Sequence, residues 1–289
     1  MVSVANGFLE SEDSILRATH CVALTYRPHA SALSVLAATA LFLQIGDARA
    51  AELKVLSSIA FEDAWHQLKP QFEARGHKLS LVFLPSGMIE KRVSAGEQGD
   101  AIVSTADSLE RLTRDGKVVA GTSAQVARSA IGISVRKGAP KPDISTPEAL
   151  KRALLSAKAV AYSDPAGGGA SGIHFAKVLQ RLGIADQVNA KAKLGRGVPN
   201  AEAVARGEAD LAVQQIPELM PVAGTELLGP LPGELQNITV FSAAVLGNSK
   251  HRKAVDALIE FLTSPDAAAV LKSRSFDVVL PLPAAVQSR

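Results

Sequence analysis

The 289-residue chain has one cysteine, and aromatic residues make up only 4% of it. The cysteine is Cys21, which lies in a segment that we expect to be removed. The remaining chain would therefore have no disulfide, no cysteine-based metal site and no cysteine nucleophile. With a single tryptophan, Trp65, and two tyrosines, Tyr26 and Tyr162, it also lacks the aromatic surface on which nucleic-acid bases stack.

The chain has no large excess of charge of one sign: 31 Lys and Arg residues face 28 Asp and Glu residues, for a formal net charge of +3. The basic residues are dispersed, so the sequence does not predict binding to nucleic acid. Removal of residues 1–50 takes away three basic and four acidic residues, which makes the remaining chain slightly more basic. A mildly basic protein suits an anionic ligand.

The N-terminal region has the order of features typical of an export signal. Arg27 and His29 precede an apolar run over 32–43, and Ala48 and Ala50 then form an A-x-A pattern. The run is too short for a stable membrane anchor. We predict a leader over 1–50, made of an upstream extension and a signal peptide, with cleavage after Ala50 and a periplasmic location.

From residue 51 onward, short apolar strands alternate with amphipathic helices, which predicts an α/β fold with mostly parallel sheets. The predicted strands cover 53–57, 79–84, 100–104, 130–135, 159–162, 190–194, 211–213 and 238–246. The main predicted helices cover 62–76, 87–95, 108–115, 175–182, 200–206, 250–262 and 266–272, and a further helix starts at 146–148. Pro70 is expected to kink or interrupt the first helix.

Breaks in this alternation near 130–138 and 229–238 suggest two domains. We predict a discontinuous first domain (51–132 and 238–289) and a continuous second domain (133–237). Ligands of open α/β sheets bind at the carboxyl ends of the strands. The ligand is therefore expected in a cleft between the domains, with a hinge beside it.

The most informative segment is the glycine-rich stretch over 164–175, DPAGGGASGIHF. It lies between a predicted strand and a predicted helix, and this order builds an anion site. Glycines allow close backbone approach, and the first N–H groups of a helix have no intrahelical partner. Ser171 would cap the helix or contact the anion itself. The alternative is a flexible loop with an ordinary helix cap.

Several segments resemble type-2 periplasmic solute-binding proteins of ABC importers, in particular their molybdate-binding-protein-like branch. The likeness covers residues 51–289. It is carried by the segments 53–61, 84–88, 94–104, 164–174, 204–215 and 264–268. The resemblance implies a two-domain type-2 periplasmic-binding-protein fold, a small anionic ligand (an oxyanion or small carboxylate) and a membrane permease as partner.

The resemblance also implies which residues hold the ligand. Ser86 matches a ligand-binding serine, and Ser171 and Gly197 fall where backbone N–H groups face the anion. Ala60 and Gln215 replace a serine and a tyrosine of the molybdate binders. The loss of two hydroxyl donors would cost ~1.5–3 kcal/mol for each charge-assisted hydrogen bond, which argues against molybdate and tungstate.

The predicted ligand-binding residues share a position at a strand end, a helix start or a glycine turn; they are Ser57, Ser58, Ser86, Gly87, Ser171, Gly172, Arg196, Gly197 and Gln215. For the serines, simple capping of a turn is the alternative. Arg196 would bind a carboxylate or stay solvated, and Arg128 is expected to form a surface or hinge salt bridge rather than bind a ligand carboxylate. No metal and no cofactor is predicted.

The leading hypothesis is a monomeric binding protein that captures a small anion, closes by hinge motion and delivers the anion to a permease. The alternative is a periplasmic isomerase of a small polycarboxylate such as aconitate. His174 would then act as base, with Asp164 or Tyr162 as its partner. A binding protein that serves a sensor without a permease fits the sequence equally well.

Overall fold

The computed structural model describes residues 51–278 of the chain. The strands are β1 (Glu52–Ser58), β2 (Lys78–Leu84), β3 (Ala101–Thr105), β4 (Ala124–Arg136), β5 (Val160–Ser163), β6 (Ala192–Gly195), β7 (Leu211–Gln215), β8 (Thr225–Pro230) and β9 (Ile238–Val245). The helices are α1 (Glu62–Glu73), α2 (Ser86–Ser94), α3 (Ala106–Arg114), α4 (Pro147–Ser156), α5 (Ala170–Arg181), α6 (Ala185–Asn189), α7 (Ala201–Ala205), α8 (Ile216–Leu219), α9 (Arg252–Leu262) and α10 (Pro265–Ser273). The signal peptide and its cleavage after Ala50 lie outside the described residues.

The strands follow the order β2-β1-β3-β9-β4-β7-β5-β6, and β8 pairs with β4. Strand β1 pairs in parallel with β2 and β3, and β5 pairs in parallel with β6 and β7. All pairs that involve β4 or β9 are antiparallel. The predicted α/β class is confirmed, and parallel pairing holds for the outer strands on both sides of the antiparallel centre.

The buried apolar residues form separate cores on the two sides of this centre. One side, which we call the first lobe, has its core residues between 51 and 127 and between 241 and 278, with Trp65, Phe72 and Phe261 among them. The other side, the second lobe, has its core residues between 131 and 235, including Phe175. The domain boundaries at 132 and 238 stay a prediction.

Strand β4 is much longer than the predicted 130–135. Its first part, from Ala124 to Ala130, pairs with β9, and its second part, from Ile131 to Val135, pairs with β7. The prediction missed the first part because Gln125 and Arg128 interrupt the apolar pattern there. Strand β8 was also not predicted.

An interruption at Pro70 is wrong, because α1 runs through this residue to Glu73, and a kink there stays a prediction. Pro70 is exposed in the last turn of the helix, where the missing N–H removes one hydrogen bond and the ring faces solvent. The helix ends before Gly76, which has a left-handed φ of 96°.

Within residues 51–278, no helix combines the length and apolar character that a membrane crossing requires.

Candidate functional site

A cavity of about 30 Å³, the cleft cavity, lies between the two lobes. The first lobe contributes the ends of β1 and β2 and the start of α2, with Ser58, Ser86 and Phe241 in the wall. The second lobe contributes the loops after β5 and β6 and the end of β7. The cavity therefore lies at the carboxyl ends of the parallel strands, where ligands of α/β sheets bind.

Two helices from different lobes begin at the cleft cavity. Helix α2 starts at Ser86 and α5 at Ala170, and neither has a side chain that caps its N-terminus. Ser86 and Ser171, in the first turns, both line the cavity. In α2 the N–H of Gly87 is donated to Gly168 O, so the N–H of Ser86, the first-turn N–H groups of α5 and the positive ends of the two helix dipoles are what favours a negative ligand. Ser171 is the second residue of α5, so it does not cap this helix.

The hydroxyl of Ser171 belongs to a chain of polar side chains. Asn200 donates a hydrogen bond from Nδ2 to Ser163 Oγ, at 3.0 Å. Ser163 Oγ lies 3.4 Å from Ser171 Oγ. Because Ser163 already accepts from Asn200, its own hydrogen can be donated to Ser171. This order leaves the hydrogen of Ser171 available to the cavity.

An ion pair lies in the second-lobe wall of the cleft cavity. Arg196 Nε is 2.7 Å from Asp164 Oδ2, and Asp164 also accepts from the backbone N–H of Ala166 at 2.9 Å. The bond from Arg196 is the main reason that the pKa of Asp164 lies below its usual range. Arg196 has a 79% exposed side chain. Asp164 is therefore ionised at neutral pH, and the further N–H groups of Arg196 can face a ligand.

The two lobes touch through two glycines at the rim of the cavity. Gly87 donates a backbone hydrogen bond to Gly168 O at 3.0 Å. A Cβ on Gly87 would lie 2.9 Å from Gly168 Cα, and a Cβ on Gly168 would lie 2.9 Å from Gly87 Cα. Only glycine permits this approach. Gly87 lies on the rim, beside a second cavity, and not in the wall of the cleft cavity.

Two further predicted ligand residues lie outside the cavity wall. Ser57 is fully buried, and its Oγ accepts a hydrogen bond from Trp65 Nε1 at 2.9 Å. A Cβ on Gly172 would lie 1.9 Å from Ser163 O, so this glycine lets α5 pack against β5. Ser58 does line the cavity and also caps the 59–61 turn by accepting from Ala60 N at 3.4 Å.

The remaining predicted residues in the wall are Arg196, Gly197 and Gln215. Gly197 has a left-handed φ of 71°, which explains a glycine in this turn. Gln215 is buried and donates from Nε2 to Thr239 Oγ1 at 2.7 Å. The structure thus brings together six of the nine predicted residues: Ser58, Ser86, Ser171, Arg196, Gly197 and Gln215.

Sequence reasoning missed Glu218, which lines the cavity together with Gln214. Gln214 donates from Nε2 to Glu218 Oε2 and accepts from Asn200 N at 2.7 Å through Oε1. Burial raises the pKa of Glu218 to about 8. The available signal was its spacing: Glu218 follows Gln215 by three residues at the start of a helix.

The residues proposed for isomerase chemistry lie elsewhere, apart from Asp164. His174 Nε2 lies 2.8 Å from Leu235 O, and His174 lines the second cavity instead of the cleft cavity. Tyr162 donates its hydroxyl to Asn189 Oδ1 at 2.5 Å. The second cavity is also lined by residues of both lobes, so a role of His174 as base stays a prediction. Arg128 forms the expected salt bridge, with Asp277.

Over the described range, no group of three or more His, Cys, Asp or Glu side chains is arranged to hold a metal ion.

Two lobes with a ligand-sized cleft between them are typical of binding proteins, and comparison with known sequences identifies the family. Residues 53–277 match the family described as bacterial extracellular solute-binding protein, and the chain belongs to this family. It is thus a solute-binding protein of the ABC-transporter type with a two-domain periplasmic-binding-protein fold.

Individual relatives differ in what they bind or convert. An aconitate isomerase from Pseudomonas sp is 35% identical over 239 residues, which cover 80% of this chain and 88% of that protein. The molybdate-binding protein ModA of Azotobacter vinelandii is 26% identical over 235 residues, covering 79% and 91%. The solved structure of the Azotobacter vinelandii periplasmic molybdate-binding protein matches with a TM-score of 0.66 at 22% identity. The match covers 79% of this chain and 99% of that one.

Proposed function

We propose that this protein binds a small oxyanion in the cleft cavity and delivers it to the membrane permease of an ABC importer. One observation carries the proposal. The uncapped N-termini of α2 and α5 come from different lobes and face the same cavity. An anion held by both helices would connect the lobes and favour their closed arrangement.

The size of the cavity supports a small ligand. The cleft cavity has a volume of only about 30 Å³ in this arrangement of the lobes. A tetrahedral oxyanion comes closer to this size than a tricarboxylate does; a larger ligand would have to extend into the second cavity, of about 540 Å³, or separate the lobes.

The site can hold an anion although its wall has no large excess of positive charge. Arg196 is the cation in the wall, and Asp164 balances it. Backbone N–H groups and the hydroxyls of Ser86 and Ser171 would then supply the remaining hydrogen bonds. The amide of Gln215 would stand where the molybdate binders have the hydroxyl of a tyrosine.

The same proposal covers location and partners. Residues 1–50 would direct export to the periplasm, and the protein starting at Ala51 would act there as a monomer. The hinge would lie where the chain passes between the lobes, near 132 and 238.

A thermal-shift screen of residues 51–289 tests the proposal directly. The ligands are molybdate, tungstate, sulfate, phosphate and a panel of di- and tricarboxylates. Saturation at about 100 times Kd adds ~2.7 kcal/mol to the free energy of unfolding, which raises the melting temperature measurably. Stabilisation by an oxyanion supports the proposal, and stabilisation by carboxylates alone contradicts the oxyanion assignment.

Variants at the two helix starts test the site itself. Ser86→Ala removes a hydroxyl donor, and Ser171→Pro removes the hydroxyl and a first-turn N–H at a position where helices tolerate proline. Each lost bond to an anion costs ~1.5–3 kcal/mol, so Ser86→Ala should bind about 10- to 100-fold more weakly and Ser171→Pro, which loses two bonds, about 100-fold or more. Ser94→Ala, at the exposed far end of α2, is the control. Unchanged affinity in both site variants would exclude this site.

The 35% identity to an aconitate isomerase favours one second candidate, isomerisation of a small polycarboxylate. Glu218 lines the cleft cavity and His174 does not, so Glu218 would be the base there, because a pKa of about 8 is close to the working pH. NMR spectra of trans-aconitate incubated with residues 51–289 would show conversion to the cis isomer. Loss of conversion in Glu218→Gln would support this role, and no conversion by the wild-type protein would exclude this candidate.

A further inference from the structure

Glu218 is a carboxyl group without a cation in a cleft that is built for an anion. It is half-buried on α8 and lines the cleft cavity. No ion pair of residues 51–278 includes it. An ionised carboxylate here would repel an anionic ligand, and the low dielectric of a closed cleft would strengthen that repulsion.

A hydrogen bond from Asn200 fixes the orientation of the Gln214 amide beside Glu218. Gln214 accepts a hydrogen bond from Asn200 N through Oε1, at 2.7 Å, so its Nε2 must face Glu218. Nε2 donates to Glu218 Oε2. This contact occupies one carboxyl oxygen as an acceptor and leaves Oε1 as the atom that can carry a proton.

The other charged groups around Glu218 are mostly negative. Glu62, Asp63 and His66, from α1, line a small cavity of about 170 Å³ that Glu218 shares. Asp63 lies 3.1 Å from Arg274 Nε. Across the cleft cavity, Arg196 is already paired with Asp164.

We propose that Glu218 binds the ligand in its protonated form, as a hydrogen-bond donor from Oε1. This inference rests on the proposed function, since it assigns a role in the same cavity. A protonated carboxyl adds a donor to the site and adds no negative charge. It would replace one of the hydroxyl donors that the departures at Ala60 and Gln215 remove.

The ionisation of Glu218 agrees with this role. Burial raises its pKa to about 8, and the charge of Glu62 contributes in the same direction, whereas the bond from Gln214 opposes the shift. Glu218 is therefore mostly protonated at neutral pH. If only the protonated form binds, the apparent affinity is scaled by the protonated fraction, so Kd should rise about tenfold between pH 7 and pH 9.

Sulfate and molybdate are suitable probes, because neither changes its protonation in this range. Their Kd would be measured by calorimetry at pH 6, 7, 8 and 9 for the wild-type protein, Glu218→Gln and His66→Gln. We expect the tenfold rise in the wild-type protein and in His66→Gln. Glu218→Gln, which keeps a donor but cannot ionise, should show a change of less than about twofold.

Two results would overturn the role of Glu218: a flat pH dependence in the wild-type protein, or an unchanged tenfold rise in Glu218→Gln. A wild-type protein that binds neither anion at any pH would instead overturn the proposed function. In that case, NMR titration of ¹³C-labelled glutamate carboxyls in the ligand-free protein, assigned with Glu218→Gln, still decides the protonation. A midpoint near 8 supports the protonated state, and a midpoint below about 6 overturns it.

Discussion

The backbone contact between Gly87 and Gly168 gives the sharpest test of how the lobes hold a ligand. Alanine at either position would place a Cβ 2.9 Å from the other glycine's backbone. Neither backbone can retreat without moving its lobe, because Gly87 is in the first turn of α2 and Gly168 ends the 165–167 turn. Gly87→Ala and Gly168→Ala should therefore both resist closure of the cleft.

The size of the effect follows from the geometry. Forcing a methyl group into a packed contact costs ~1–3 kcal/mol, and the lost bond from Gly87 N to Gly168 O costs ~0.5–1.5 kcal/mol more. At ~1.4 kcal/mol for each factor of ten, the affinity should fall about 10- to 1000-fold. Gly168→Ala carries an added strain of ~1–2 kcal/mol, since Gly168 has a left-handed φ of 77°.

Gly138→Ala is the matched control for that strain. Gly138 has nearly the same φ, 79°, but a Cβ there would meet nothing within 4 Å. It should lower the melting temperature as Gly168→Ala does and leave the affinity unchanged. Calorimetric titration with the anion found in the thermal-shift screen measures Kd for all three variants. If Gly87→Ala and Gly168→Ala bind like the wild-type protein, the closed arrangement described here is not the ligand-bound one.

Two further predictions concern packing and pH. Gly172→Ala should lower the melting temperature, because its methyl group would collide with Ser163 O and overpacking costs ~1–3 kcal/mol or more. A melting temperature within 1–2 °C of wild type, which corresponds to a stability change on the order of a few tenths of a kcal/mol, would contradict this packing. The lowered pKa of Asp164 means that its bonds stabilise the protein above its unfolded pKa of about 3.9 and lose that effect as the pH falls. Denaturant titrations should show that Arg196→Met reduces the loss of stability below about pH 4, and an equal loss in both proteins would contradict the ion pair.

The alternation of strands and helices was predictable because it depends on local patterns. The capping threonine and proline at 146–147 begin α4 as expected, since Thr146 Oγ1 accepts from Ala149 N at 3.1 Å. The length of β4 was not predictable, because its first part is stabilised by pairing with β9, more than 100 positions away in the sequence.

The cleft was predictable only in part, for a similar reason. Glycine turns and helix starts can be recognised from a few neighbouring residues, and these patterns led to Ser86 and Ser171. Glu218 also lies at a helix start, but its significance comes from Gln214, whose amide is fixed by Asn200, and from burial by the other lobe, which no local pattern shows. The same holds for Ser57, whose role beneath the cleft depends on the indole of Trp65.

Strand β4 belongs to two hydrogen-bonded ladders at once, with β9 in the first lobe and with β7 in the second. Melting either ladder would free one half of a strand whose other half is still paired, and would expose buried backbone groups in its middle. We therefore expect the lobes to unfold as one cooperative unit, with a single calorimetric peak. Ligand binding should then slow amide exchange along the whole of β4, including residues far from the cleft.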